Sequence, residues 1–384
     1  MPVIIAGSIE EIAKQEWDTV ASKNVFTSYG WLKTVEETLI EKIEPLYFFM
    51  TDSKGIVGAS VCYIFNNTGS TGNLDHLIFG RFMKQVRGLG ISFLPALICS
   101  PFFSYGFHFL IREDIDSEER ISVTDELLYA IEKTAAERRL PLAFVNTTSD
   151  EKGLNRLTRD RGYHKVLDIP VHYLDITWKT FKGYKDHLRP VSRNMWRHLN
   201  TEINRNQKAG VLIRPVDDIA AHEDRLFELV NMNAYAHNKT PFKFTKAFFR
   251  QLKENLSDEV NMYMAVKKGE VIGVSLIFTR NRVRYLPIVG IDHELSGNDL
   301  TYFNIGYYRP IMDAISSRID RICFGRGMNA VKQKRGCAAQ NIFFYYKPYS
   351  MRQKFLVATL FPGLRMWKKK ILPENARQAL SKES

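Results

Sequence analysis

Cysteine is scarce here, and what little there is lies scattered: Cys62, Cys99, Cys323 and Cys337 across 384 residues. They form no CxxC pair and no dense framework. That excludes a disulfide-stapled scaffold and predicts reduced thiols in a cytoplasmic protein. No hydrophobic run is long enough for a membrane-spanning helix. The start, Met1 to Ala6, lacks a basic segment and turns acidic at Glu10 and Glu11, so it does not read as a signal peptide. Nine histidines are dispersed without HxxxH or HExxH, so no metal site is expected. Walker loop, GxSxG elbow and kinase motifs are all missing. Low-complexity tracts are missing too, and the length fits two domains, each with a full core.

What the chain does have is positive charge, unevenly placed. The net charge is +12. Residues 179–214 hold nine Lys/Arg against Asp186 and Glu202, and residues 318–370 hold thirteen against Asp320 alone. Clustered cations imply a polyanionic partner more strongly than net charge does. Nucleic acid, the phosphates of a nucleotide or CoA, and an anionic membrane surface all fit.

The chain also repeats itself. Residues 49–65 and 263–278 each read as strand, tight Lys-Gly turn, and strand with Gly-x-Ser. Two amphipathic helices precede each hairpin, near 9–21 and 29–40, then near 219–236 and 245–256, the last opened by Thr245 as a cap. A helix and a terminal strand follow: 123–139 then 142–146, and 301–316 then 319–324. Residues 163–176 read as one long strand ending the first half. A helix over 190–208 starts at Pro190. Val191, Met195, Leu199 and Ile203 form its apolar stripe, opposite Arg189, Arg193 and Arg197.

One stretch invites a chemical reading. After the strand 319–324 come Gly325-Arg326-Gly327 and then Lys332, Lys334, Arg335 and Gly336. Glycines let backbone approach a ligand, and N–H groups with cations hold phosphate or an oxyanion. A plain turn with a solvated basic face gives the same pattern.

Lys332-x-x-Arg335-Gly336 after a glycine-containing strand end, preceded by the aromatic segment Leu300 to Ile315, resembles the signature of the FemAB-like (peptidoglycan biosynthesis/recognition) branch of the GNAT acyltransferase superfamily. The resemblance is clearest over 184–347. It implies an α/β (α+β) fold of two tandem GNAT-like domains, each a mixed twisted sheet flanked by helices. The expected division is 1–177, a basic linker helix 178–210, 211–350, and a basic amphipathic tail 351–384.

The same resemblance implies an N-acyltransferase moving an acyl or aminoacyl group from aminoacyl-tRNA or acyl-CoA to an amine. No tightly bound cofactor is expected. Lys332 would neutralise the oxyanion. No general base is visible in the sequence; Tyr346 or Tyr345, on the last aromatic strand, is open to a proton-relay role or to core packing. Arg193, after Ser192, would contact donor phosphate, with Arg197 and Lys185 beside it and Lys334, Arg335 and Arg326 adding charge. The typical acetyltransferase pyrophosphate loop is absent. Gly297 and Asn298 stand where it should be and could present N–H groups to an anion. His237 and Tyr285 are candidates for the acceptor groove, although a solvated loop residue is the plainer reading of His237. The acceptor would be an envelope precursor or a small metabolite. A catalytically inactive GNAT pair that binds nucleic acid or envelope precursor is the alternative. A further alternative is a peripheral adaptor on the inner membrane face. Two hydrophobic regions are open to either reading, as core or as contact surface: 77–111 and 355–372.

Overall fold

The computed structural model describes residues 1–66, 94–151, 154, 161–355 and 357–359. The chain forms two units: Met1–Ile169 with the chain from Asn341 onward, and Pro170–Gln340.

In the first unit, β1 (Ile4–Ala6), α1 (Lys14–Val20) and α2 (Tyr29–Thr38) precede the hairpin of β2 (Ile43–Asp52) and β3 (Gly55–Phe65). Ser28 opens α2 by accepting a hydrogen bond from the Trp31 N–H at 3.3 Å. After β4 (Ala96–Cys99) and β5 (Leu110–Ile111) comes α3 (Ser117–Glu137), capped by Asp116. It lays Val123, Leu127, Leu128 and Ile131 on Leu46, Phe48 and Val57. Burying each such side chain stabilises by roughly 1.5–3 kcal/mol. The contact is close enough that a Cβ on Gly58 would collide with Val123. β6 (Leu142–Thr148) and β7 (His164–Leu167) follow.

The second unit begins with β8 (Val171–Asp175), α4 (Phe181–Val191), α5 (Arg193–Lys208) and β9 (Val211–Pro215). Next come α6 (Glu223–Asn238), α7 (Phe248–Leu256), β10 (Val260–Lys267), β11 (Glu270–Arg280), β12 (Val283–Ile291) and the one-turn α8 (His293–Ser296). The next helix, α9, runs as Thr301–Phe303, a π-helical turn Asn304–Tyr308, and Arg309–Ser316. β13 (Arg321–Arg326), α10 (Asn329–Lys334) and β14 (Ala338–Gln340) complete the unit. β15 (Ile342–Lys347) then returns to the first sheet, between β6 and β7.

The strand orders are β1-β2-β3-β4-β6-β15-β7, with β5 on β3, and β14-β8-β13-β12-β11-β10-β9. Helix pair, antiparallel strands, helix and strand recur in both halves, so the tandem GNAT-like, mixed α/β architecture is present.

The boundaries differ from the expected ones. Residues 163–176 do not make one strand. Asp168 to Pro170 break it, and β7 and β8 join different sheets. The second unit ends at Gln340 because β15 pairs with β6 and β7. The helix over 190–208 is no free linker. Ser192, in extended conformation, ends α4 and caps α5 through the Met195 N–H at 3.3 Å. Pro190 therefore lies in the last turn of α4, and Val191 is exposed while Met195 and Leu199 are buried with Ile277, Leu286 and Ile311. Thr245 does not cap α7 with its side chain; its carbonyl takes the Phe248 N–H. Within the hydrophobic region, Phe102 packs on Tyr63 and Phe103 on Phe26, which is core. Its part over 77–93, and the tail over 360–384, lie outside the described residues.

Candidate active site at the end of β13

β12 and β13 are parallel neighbours for three rungs only: Val283 with Arg321, Arg284 with Ile322, Tyr285 with Cys323. Beyond Tyr285, β12 continues on β11 while β13 follows β8. Among the described residues no backbone hydrogen bond rejoins Leu286–Ile291 to Phe324–Arg326. A parallel pair that opens at its carboxyl end leaves the kind of crevice in which open α/β sheets bind ligands.

The π-helical turn of α9 flanks this opening. Tyr307 stacks on Phe324 with ring centroids 4.8 Å apart, and Gly306 faces Val289. A π-turn inserts an extra residue into a helix and commonly marks a functional position.

The turn after β13 needs left-handed backbone at Gly325 (φ 71°), Gly327 (φ 73°) and Met328 (φ 52°), and the two glycines supply most of it without a Cβ penalty. It folds α10 back so that the Lys332 ammonium donates to the Gly325 carbonyl at 3.0 Å and the Arg326 carbonyl at 2.8 Å. Lys332 is only 4 % exposed. Burial pushes its pKa down to about 8, against a weaker upward pull from the Cys323 and Cys337 thiols. Two of its three N–H donors are occupied, so one is left for a ligand.

Arg335 has a different job. It is 4 % exposed and donates to Glu202 at 3.0 Å, the Tyr308 hydroxyl at 3.1 Å and the Val331 carbonyl at 3.3 Å. Its guanidinium also lies 4.0 Å from the centroid of the Phe303 ring. These partners tie α5, α9 and α10 together, so the expected phosphate-binding role for Arg335 is corrected to an internal ion pair. A buried guanidinium must be paired, and Glu202 pairs it.

Gly297 and Asn298 are corrected as well. They are exposed after α8, but the next helix start is already served from inside. Asp299, 5 % exposed, accepts from the Thr301 N–H at 3.0 Å and pairs with Lys267 at 3.0 Å. A carboxylate thus occupies the place where an anion would bind.

The remaining candidates scatter. Tyr346 is a fully buried core residue of the first unit, opposite Ala143 and His164, and is corrected from relay to packing. Arg193, Arg197 and Lys334 are exposed, Lys185 and Arg326 half-buried. Arg189 stacks on Trp196 at 5.2 Å in the same helical hairpin. His237 is exposed in the last turn of α6. Tyr285 is buried at the last rung before the strands part, and burial pushes its phenol up.

Sequence reading missed His172, Cys323 and Cys337. All three side chains are buried around Lys332, and the only hint was a histidine inside the apolar strand Val171-His172-Tyr173. Among the described residues no His, Cys, Asp and Glu cluster could hold a metal. No described helix is long and apolar enough to cross a membrane.

Solved structures share the fold at low identity. FemX matches over 94 % of this chain and 100 % of its own, at 9 % identity and TM-score 0.58. The C-terminal domain of a putative lysylphosphatidylglycerol synthetase from Agrobacterium fabrum matches over 92 % and 97 %, at 11 % identity and TM-score 0.55. A conserved protein of unknown function from Bacteroides thetaiotaomicron matches over 90 % and 99 %, at 10 % identity and TM-score 0.56. No curated protein matches significantly. The FemAB-like family model, described as peptidoglycan biosynthesis/recognition, covers residues 8–359, and the chain belongs to that family.

Proposed function

We propose that the protein is an N-acyltransferase that moves an acyl or aminoacyl group from an activated ester or thioester to an amine. The observation that carries this is the Lys332 ammonium, buried at the carboxyl end of β13 with one donor uncommitted. Attack of a neutral amine on the donor carbonyl makes a tetrahedral oxyanion. A buried cation beside it is worth about 2.7–4 kcal/mol, the scale of one oxyanion-hole donor. With a pKa of about 8, Lys332 is mostly charged at neutral pH and able to serve.

The donor is read as aminoacyl-tRNA in preference to acyl-CoA. Asp299 holds the helix start that a pyrophosphate would need, while exposed Arg193, Arg197 and Lys334 suit an extended polyanion. Family membership supports an amine on an envelope precursor as acceptor.

The test is direct. Purified protein is incubated with aminoacyl-tRNA pools or acyl-CoA mixtures and an amine acceptor, and products are read by mass spectrometry. Transfer from aminoacyl-tRNA, weakening steeply as salt is raised, is the expected result. Binding of donor without any transfer would leave an inert binding module and overturn the reading.

A further inference from the structure

Beyond β15 the sequence Ser350-Met351-Arg352-Gln353 is a capping box. The Ser350 hydroxyl accepts from the Gln353 N–H at 3.2 Å, and the Gln353 side-chain oxygen accepts from the Ser350 N–H at 3.2 Å. Residues 351–355 and 357–359 are helical. At 3.6 residues per turn, Met351, Phe355 and Ala358 fall on one stripe, with Arg352 and Lys354 on its two flanks and Gln353 and Val357 opposite. Val357 is 1 % exposed and Gln353 half-buried, so that side faces the protein. The stripe faces outward: Met351 is 77 % exposed and Phe355 71 %, and Ala358, Arg352 and Lys354 are exposed too. A single exposed apolar residue is ordinary, whereas a helix that turns its apolar stripe to water calls for an occupant.

Charge identifies that occupant. Residues 351–372 hold six Lys/Arg and no Asp or Glu, interleaved with Phe361, Leu364 and Trp367. A nucleic acid would meet the cations but leave Met351 and Ala358 uncovered. A protein groove would need carboxylates along both of its walls. An anionic bilayer offers an apolar interior under a continuous layer of phosphates, which matches a stripe with cations on each side. No described helix is long and apolar enough to cross a membrane, so the element would lie in the interface plane.

We propose that this helix docks the protein on an anionic phospholipid surface. Met351, Phe355 and Ala358 enter the boundary between headgroups and acyl chains, while Arg352 and Lys354 extend along it to lipid phosphates. The proposal goes beyond the acyl-transfer reading and does not depend on it, since its test needs no turnover.

Full-length protein is sedimented with vesicles of phosphatidylcholine alone or of phosphatidylcholine and phosphatidylglycerol in equal parts. Binding to the mixed vesicles only, weakening as salt is raised, is expected. Met351→Ser with Phe355→Ser should weaken it at least about tenfold at unchanged melting temperature, because both side chains are mostly solvated in the free protein. Arg352→Gln with Lys354→Gln should weaken it roughly 30-fold, at about fivefold per cation near such a surface. Because Cys62, Cys99, Cys323 and Cys337 are all buried, Phe355→Cys supplies an exposed thiol for an environment-sensitive dye, whose emission should shift to the blue on vesicle addition. Failure to bind mixed vesicles, equal binding to both kinds, or wild-type binding by the Met351→Ser, Phe355→Ser protein would overturn the proposal. An unshifted dye on sedimenting protein would overturn it as well. So would a loss of tRNA binding, with vesicle binding kept, in the Arg352→Gln, Lys354→Gln protein.

Discussion

Replacing Lys332 by Met keeps the length and bulk of the side chain and deletes its charge. The consequence for stability has a definite sign. The folded-state pKa is about 8, below the ordinary 10.5 expected when unfolded. Below pH 8 both states are protonated, and the folded state carries the full penalty of a buried ammonium. Between pH 8 and 10.5 the unfolded chain binds more protons, so wild-type stability rises with pH. At about 1.4 kcal/mol per unit, the gap amounts to about 3 kcal/mol. The variant has no such group. The wild-type advantage over Lys332→Met should therefore grow by about 3 kcal/mol from neutral pH to pH 10.5, whatever the baseline difference from lost hydrogen bonds. Urea unfolding can follow this through Trp178 and Trp196, both packed in the second unit. Titrations not coupled to Lys332 cancel in the difference, and the coupled folded-state groups His172, Cys323 and Cys337, at about 4, about 11 and about 12, lie outside this window. A flat difference across that range would refute the account of a buried, charge-strained lysine.

Three further outcomes are expected. Arg335→Met should destabilise the second unit by about 3–5 kcal/mol, because Glu202 loses its cationic partner and keeps only the Tyr308 hydroxyl, and adding Glu202→Gln should restore part of that in a double-mutant cycle. In the first unit, His108 donates from Nδ1 to Glu151 at 2.8 Å and from Nε2 to the Val145 carbonyl at 2.7 Å, so the ring is doubly protonated. Burial opposes that charge, but Glu151 outweighs it and raises His108, while His108 lowers Glu151 despite burial. The pair's contribution is full between the ordinary values of 4.5 and 6.5, is lost as pH rises through the raised histidine pKa, and is lost as pH falls through the lowered carboxyl pKa. Glu151→Gln should flatten that dependence in melts at stepped pH. Gly290→Ala should cost more than about 2 kcal/mol, since its Cβ would lie 2.6 Å from the Leu229 backbone of α6, and wild-type melting would contradict the close packing drawn here.

Much of the fold was legible because the duplicated hairpins carry their own turn chemistry. Gly55 (φ 108°) and Gly269 (φ 88°) sit at positive φ, where glycine is required. Helix pairs before each hairpin followed from apolar spacing. Boundaries were less legible. Nothing local says that β15 pairs with β6 and β7 in the first sheet, because strand partners are chosen by long-range packing. At the site, Lys332 was singled out by the resemblance of Lys332-x-x-Arg335-Gly336 to a family signature, while the spacing after Gly325 and Gly327 alone read equally as a plain basic turn. Arg335 looked equivalent in sequence, yet one carboxylate on α5, Glu202, turns it inward. Gly297 and Asn298 looked like an anion loop, but Asp299 fills it. His172 was unreadable because a lone histidine in an apolar strand gives no local sign that the fold buries it near Lys332.

The measurement that bears most directly on the central claim is single-turnover transfer by Lys332→Met against wild type, at saturating donor and acceptor. A loss of roughly a hundredfold or more in the chemical step, with donor affinity unchanged, is predicted from removal of one oxyanion donor. A chemical step at the wild-type rate would contradict it.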